Sequence, residues 1–230
     1  MTLRANGRLA GVAFLVYIVA GISQMVVFGQ ATGGGETAAQ LANVAQHAAA
    51  VRLTVLLELV EAVCALVLAV TIYALTREAD RDLAMLAMMF RVAEGVINAN
   101  SSVRTLELLK LATAGASAGP GADTVGGLLL AVGPGGASAF CFAVGSTIYS
   151  WLFLSARSIP VPLAWLGVFA SVLVVALQPA QYAGFLRGPV TGFMWIPMLL
   201  FEVTLALWLI FKGVGSPARL EPARGAAAGR

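Results

Sequence analysis

Long apolar runs alternate with short polar links along most of this chain. A transmembrane helix needs roughly 20 consecutive, mostly apolar residues, and six segments meet that need. The predicted spans are about 9–28, 53–75, 83–103, 137–154, 161–181 and 190–211. The pattern therefore predicts an all-α fold, a polytopic membrane bundle of six transmembrane helices within residues 1–213. Residues 214–230 are polar and rich in Pro, Gly, Ala and Arg, and we expect a disordered cytoplasmic tail there.

Composition narrows the class of protein further. Of 230 residues, 60% are hydrophobic and only 11% are charged, and the mean hydropathy is +0.90. Soluble domains carry roughly 25% charged residues, so a soluble domain is excluded, and so is a disordered chain. The expected partner is the lipid bilayer. The net charge of +3 does not indicate nucleic-acid binding, because the basic residues lie at the ends of apolar runs.

The distribution of Lys and Arg predicts the orientation of the spans. Nine of these residues fall on one side of a six-span arrangement and four on the other. The nine are Arg4, Arg8, Arg77, Arg81, Arg157, Lys212, Arg219, Arg224 and Arg230, and the four are Arg52, Arg104, Lys110 and Arg187. Cytoplasmic segments carry the excess of Lys and Arg, so both termini are predicted to be cytoplasmic, with the chain in a bacterial inner membrane.

Two longer segments lie on the predicted outer side. In residues 30–51, Gly33, Gly34 and Gly35 interrupt the chain, and 36–50 is predicted to form a helix with a weak apolar face. Residues 105–136 are rich in Gly and Ala, with breakers at 119–121 and 133–135. We expect a mobile outer loop there, with a short re-entrant piece at 126–132.

Ionisable residues inside the predicted spans are the main functional signal. Glu58 and Glu61 lie in the second span, Arg91 and Glu94 in the third, and Glu202 in the sixth. Each charged group at a helix centre costs about 2.5–3.5 kcal/mol on insertion. Such residues persist where they pair, face a cavity or act in function. Glu58 and Glu61 are three residues apart and share a helix face. A second polar stripe runs along the third span through Arg91, Glu94, Asn98, Ser101 and Thr105.

Counting these charges predicts that some of the acids are neutral. Four carboxylates and one guanidinium would give a net −3 (1 − 4) if all were ionised, which a low-dielectric interior resists. At least one or two of the glutamates are therefore predicted to be protonated, while Arg91 stays charged. Its predicted partner is Glu61 or Glu202 from another helix. Glu94 remains open, as a weaker tie within one helix.

Metal and cofactor chemistry has little support in the sequence. The chain has one His and two Cys, and both cysteines, Cys64 and Cys141, lie inside apolar runs. They are interpreted as small buried hydrophobic residues. We therefore predict no metal site and no cofactor.

Four motifs carry a resemblance to a known family. They are Arg8-Leu9-Ala10-Gly11, Phe90-Arg91 with Glu94, Pro160-Val161-Pro162-Leu163-Ala164-Trp165, and Glu202 with Leu205-Ala206-Leu207-Trp208. The chain resembles, up to about Gly213, the bacterial membrane proteins grouped as domain of unknown function 4386, although residues 105–136 depart from the usual pattern. The resemblance implies a six-span inner-membrane protein and places Arg91, Glu94 and Glu202 at motif positions. It supplies no reaction.

Three classes of function remain open. The first is binding or moving a small lipophilic or cationic molecule in a polar intramembrane pocket. The second is an intramembrane enzyme in which a buried, protonated Glu61 or Glu94 acts as general acid beside Trp195, on an isoprenoid-like substrate. The third is a structural or assembly subunit, and a homodimer is open in each case. The candidate ligand-binding or proton-relay residues are Glu58, Glu61, Arg91, Glu94, Asn98, Trp195 and Glu202.

Overall fold

Helices make up nearly all of the described chain. The computed structural model describes residues 2–119, 121–131 and 136–215, and these ranges contain no strand. The α-helices are α1 (Leu3–Ala31), α2 (Thr37–Gln46), α3 (Ala48–Thr76), α4 (Arg81–Ala114), α5 (Ala122–Ala131), α6 (Gly136–Ser155), α7 (Val161–Tyr182), α8 (Val190–Phe193) and α9 (Ile196–Phe211). One 3-10 turn, Gly115–Ala118, follows α4. The predicted all-α class is confirmed.

Among the described residues, five stretches are long and apolar enough to cross a membrane. They are Leu3–Ala31, Ala48–Thr76, Ala122–Ser155 (α5 and α6, with 132–135 outside the description), Val161–Tyr182 and Val190–Phe211. The third predicted span lies in α4 and is absent from this group, because Arg91, Glu94 and Asn98 lower the hydropathy of its central turns. The last stretch is interrupted: α8 ends at Phe193, and α9 begins at Ile196, with Pro197 in its first turn.

Six long helices form a closed ring. In the order α1, α3, α4, α6, α7 and α9, each helix packs against the next, and α9 packs back against α1. Glycines allow two of these close approaches. A Cβ on Gly11 would lie 2.6 Å from the Ala206 carbonyl of α9, and one on Gly145 would lie 3.3 Å from the Ala87 carbonyl of α4. The side chains of α1, α3, α4, α6 and α9 that point inward therefore meet in one interior.

Large apolar side chains cover the outside of this ring. Val19, Val63, Met89 and Phe169 are each more than 60% exposed, and they come from four different helices. Water disfavours apolar surface of this extent, whereas lipid accepts it. The helices and their surface together define a multi-pass integral membrane protein.

The segment predicted as a mobile outer loop is largely helical, so that prediction is wrong for its first part. α4 continues through Thr105 to Ala114, because Leu108, Leu109 and Ala112 are buried against Leu41 and Val44 of α2. The helix ends before the predicted breaker at 119–121: α4 stops at Ala114, its C-cap Gly115 has a positive φ, and a 3-10 turn follows to Ala118. The proposed re-entrant piece overlaps α5, and residues 132–135 lie outside the described part of the chain.

The predicted outer helix at 36–50 is present in shortened form. It begins at Thr37 and ends at Gln46, and after His47 the chain enters α3, five residues before the predicted start of the second span. At the other end of the molecule, Val214 packs against the core, and the Gly215 N–H donates to the Ser158 carbonyl at 2.9 Å. The predicted tail from 216 onwards lies outside the described residues.

Candidate functional site

Arg91 and Glu94 form a closed ion pair in the bundle interior. Nη1 of Arg91 lies 2.9 Å from Oε2 of Glu94, and both side chains are 1% exposed. They are three residues apart on α4, so one turn of helix brings them together. The N–H bonds are not aimed at the carboxylate, and no nitrogen of Arg91 has a hydrogen-bond acceptor among the described residues. The pair is therefore held by charge rather than by hydrogen bonds.

Two aromatic rings lie beside the guanidinium. Its central carbon is 5.4 Å from the centroid of the Tyr17 ring and 5.1 Å from that of Phe142. The two rings are nearly parallel, with centroids 6.4 Å apart. A cation over an aromatic face is stabilised by roughly 2 kcal/mol when it is removed from water. The rings thus compensate in part for the hydrogen bonds that Arg91 lacks.

Tyr17 also ties α1 to α4 across the ring. Its hydroxyl donates a hydrogen bond to Oε1 of Glu94 at 2.6 Å. With Arg91 on Oε2 and Tyr17 on Oε1, both oxygens of the Glu94 carboxylate have a partner. A carboxylate that accepts a phenol hydrogen bond and faces a guanidinium is stabilised in its charged form.

The predicted partner of Arg91 is therefore wrong. Neither Glu61 nor Glu202 lies within 4 Å of a basic group in the described chain, and the ion pair is with Glu94. A pair one turn apart on a single helix makes a weak tie in solvent, so the sequence favoured a partner from another helix. In the interior, Tyr17 holds Glu94 in place, which removes that disadvantage.

Glu58 lies in a polar layer nearer the end of the bundle where α2 packs against α4. It is buried, and its Oε1 accepts a hydrogen bond from the Thr105 hydroxyl of α4 at 3.0 Å. Gln24 of α1 and Arg104 of α4 also lie close enough to interact electrostatically with this carboxyl. Glu58 thus joins three helices and has both a hydrogen-bond donor and a cation nearby.

Glu202 occupies the side of the interior formed by α6 and α9. It is 4% exposed, and Arg91 is the charged group that acts on it most strongly. The Tyr149 ring of α6 lies in the same region and packs between Phe14, Phe153 and Phe201. Glu202 therefore interacts electrostatically with Arg91 at longer range, and the two form no ion pair.

Glu61 stands apart from the other three acids. It is only half-buried, and its Oε1 has no hydrogen-bond donor among the described residues. The charged groups that act on it most strongly are Glu58 and Glu94, both of its own sign. Opposite the carboxyl, α1 presents Gly21: an added Cβ there would lie 3.6 Å from the Glu61 carboxyl carbon. Glu61 is thus a partly accessible acid with no compensating cation.

The last two sequence candidates differ in how closely they join this interior. Trp195 immediately precedes α9 and is half-buried, with its ring 5.9 Å from that of Phe142. Trp195 therefore lies next to Phe142, one of the two rings that contact the Arg91 guanidinium. Asn98 lies one turn beyond Glu94 on α4 and is half-buried. No side-chain hydrogen bond joins it to the acids in the described part of the chain.

Two residues at the centre of the site were not among the sequence candidates. Tyr17 is polar within an apolar helix, and that contrast was a usable signal. Phe142 is an apolar residue in an apolar run, so nothing in the sequence distinguished it. As to metals, no group of three His, Cys, Asp or Glu side chains within the described ranges is placed to hold an ion.

The comparisons with known proteins identify the family. Residues 9–213 match the family described as domain of unknown function (DUF4386). The match covers most of the chain, so this membrane protein belongs to the DUF4386 family. No curated protein and no solved structure matches the chain.

Proposed function

We propose that this protein binds a small lipophilic cation inside its helical bundle, with Glu61 as the counter-charge. The observation that carries the proposal is the setting of Glu61. It is half-buried, its carboxyl lies against Gly21 of α1, and the charged groups that act on it most strongly are the carboxyls of Glu58 and Glu94. A partly accessible acid among acids attracts positive charge, and ionisable residues at membrane depth commonly mark ligand or ion pathways.

The surroundings favour an organic cation over a metal ion. Calcium and magnesium take six or more oxygen ligands, whereas the Glu61 carboxyl is met on the α1 side by a glycine. An organic cation needs one counter-charge together with apolar or aromatic surface. The apolar α1 and α3 helices on either side of Gly21 and Glu61 supply that environment.

Arg91 and Glu94 have a different role in this proposal. A closed, nearly solvent-free ion pair is what a packing role requires, and Tyr17 extends it to a second helix. We infer that this pair fixes the positions of α1 and α4 and does not bind the ligand. The structural class of function is thus supported for part of the cluster, while Glu61 carries the binding role.

The enzyme alternative has weaker support. A general acid that generates a carbocation needs an aromatic face free to stabilise it. The Tyr17 and Phe142 rings beside Glu94 already face the Arg91 guanidinium. A second positive charge at that place would be repelled.

We further propose that α4 crosses the membrane as the sixth span, in a bacterial inner membrane, with both termini in the cytoplasm. Supporting this, α4 lies between α3 and α6 in the ring, and the charged residues of its central turns, Arg91 and Glu94, are buried. The link 77–80 would then be cytoplasmic and the segment 32–36 external. The excess of Lys and Arg on the side of the termini supports the same orientation.

Cysteine labelling tests that orientation. In a background of Cys64→Ala and Cys141→Ala, Gly35→Cys should react with an impermeant maleimide on intact cells. Glu78→Cys should react only after permeabilisation. Both positions are exposed, and an added Cβ at Gly35 meets nothing within 4 Å. Labelling of Glu78→Cys from outside would overturn the orientation.

Binding of tetraphenylphosphonium tests the role of Glu61. Purified protein in lipid nanodiscs should bind this lipophilic cation saturably, and Glu61→Gln should weaken binding at least tenfold, since it removes the counter-charge. Glu107→Gln, at an exposed position of α4, is the matched control and should bind as the unaltered protein does. Isothermal titration, corrected for empty discs, measures both.

A second pair of variants tests the location of the site. Gly21→Val places side-chain atoms against the Glu61 carboxyl and should weaken binding. Gly29→Val lies on the same helix, where an added Cβ meets nothing within 4 Å, and should not. Uptake no greater than that of empty discs, or equal binding by Glu61→Gln at unchanged thermal stability, would refute the proposed function.

A further inference from the structure

We propose that ligand binding at Glu61 is an exchange reaction, in which one lipophilic cation replaces one proton on the Glu61 carboxyl. This inference rests on the proposed function and extends it from binding to cation/proton exchange. It follows from the charges that surround Glu61, taken helix by helix.

Within the described residues, no basic side chain forms an ion pair with Glu61. The carboxyl of Glu94 on α4 and the phenol of Tyr17 on α1 lie within electrostatic range of it, and the α1 backbone at Gly21 lies against it. On its own helix it faces Glu58 and the thiol of Cys64. Arg91 is paired with Glu94 at 2.9 Å.

The charge balance of the interior then sets the state of Glu61 without ligand. The positive charge of Arg91 offsets the negative charge of Glu94. An ionised Glu61 would add a second negative charge beside Glu94 and Glu58, in an apolar interior that penalises uncompensated charge. Oε1 of Glu61 also lacks a hydrogen-bond donor in the described chain, so no hydrogen bond stabilises negative charge on that atom. The ligand-free carboxyl therefore holds a proton.

A bound cation reverses this balance. The O–H bond of Glu61 breaks, its electron pair stays on the carboxylate oxygen, and the proton passes to bulk water. The cation then forms the ion pair with the new carboxylate. One positive charge enters and one leaves, so the net charge of the interior is unchanged.

Two consequences follow for the binding equilibrium. Each cation bound should release about one proton, and the affinity should rise about tenfold for each unit of pH as long as the free site is protonated. Lipophilic cation and proton compete for one group, so the two occupy the site by turns. A protein with this property can couple the movement of an organic cation to a proton gradient.

Titration calorimetry in two buffers measures the exchange. Tetraphenylphosphonium is titrated into nanodisc-embedded protein at one pH in phosphate and in Tris, which differ strongly in ionisation enthalpy. The difference in observed heat gives the number of protons released, and we expect about one. Glu107→Gln should release the same number.

Infrared difference spectroscopy assigns the proton to its residue. The spectrum of the cation-bound minus the free protein should lose a carboxylic-acid carbonyl band and gain a carboxylate band. In Glu61→Gln, raising the pH without ligand should no longer remove that acid band.

The outcomes separate the two proposals. Saturable binding with no proton released and no dependence on pH would overturn the exchange and leave binding at Glu61 in place. Saturable binding with proton release that persists in Glu61→Gln would place the exchanged proton on another residue and overturn this assignment. No binding above empty discs would refute the proposed function and the exchange together.

Discussion

Replacing Arg91 by leucine should lower the melting temperature in detergent by roughly 10 °C at neutral pH. The substitution leaves the Glu94 carboxylate in the interior with its phenol hydrogen bond from Tyr17 but without its cation. Breaking a buried ion pair by removing one partner costs about 3–5 kcal/mol. Glu94 can escape that cost by taking up a proton, so the loss should be smallest at pH 5 and largest at pH 8. Melting curves across that range measure it.

Two variants control this prediction. Arg77→Leu removes a guanidinium from the exposed pair with Glu78, whose closest N–O distance is 3.6 Å, and should change stability by less than about 1 kcal/mol. The double variant Arg91→Leu, Glu94→Gln removes both charges and should recover much of the loss. If the melting temperature of Arg91→Leu equals that of the unaltered protein at every pH, the interior pair does not hold the helices together.

Replacing Gly11 by alanine should also destabilise the bundle, by about 1–3 kcal/mol. The new Cβ would lie 2.6 Å from the Ala206 carbonyl oxygen and 2.6 Å from Cγ1 of Ile210. The carbonyl belongs to the backbone of α9 and cannot rotate away, so α1 and α9 must separate. The ring of helices closes at this contact, and the expected result is a lower melting temperature in detergent.

Gly29→Ala is the matched control on the same helix. An added Cβ at Gly29 meets nothing within 4 Å, and alanine is the better helix former by about 0.5–1 kcal/mol. This variant should be as stable as the unaltered protein or slightly more so. Equal melting temperatures for the two glycine variants would show that α1 and α9 do not approach as closely as the structure indicates.

The sequence predicted the helices well where hydropathy alone decides them. α7 was expected at 161–181 and runs Val161–Tyr182, and α6 was expected at 137–154 and runs Gly136–Ser155. The C-terminal end of α4 was missed, since its leucines become buried only against α2. When two helices distant in sequence bury each other, the hydrophobic pattern of each helix alone predicts that contact only weakly.

In the candidate site, too, local sequence predicted which residues take part, and tertiary packing decided how they pair. Helical spacing and the cost of buried charge were enough to select Glu58, Glu61, Arg91, Glu94 and Glu202 from the sequence. The partner of Arg91 was not predictable in this way, because it depends on Tyr17 reaching Glu94 across the ring. Four similar acids differ in role because packing gives each a different neighbour.

The protein is thus an apolar helical ring whose interior places one acid, Glu61, without a compensating charge. Arg91 forms an ion pair with Glu94, and the Thr105 hydroxyl donates a hydrogen bond to Glu58. Glu202 lies within electrostatic range of Arg91. An account in which all the buried acids only hold helices together leaves the position of Glu61 unexplained. Cation binding at that position gives it a physical reason.

A crystal structure with tetraphenylarsonium shows whether a lipophilic cation lies beside Glu61. The arsenic atom scatters anomalously and marks the centre of the cation without ambiguity. We expect an anomalous peak inside the bundle, close to the Glu61 carboxyl and Gly21, that is lost in Glu61→Gln. A peak confined to the lipid-facing surface, or one that remains at the same place in Glu61→Gln, would contradict it.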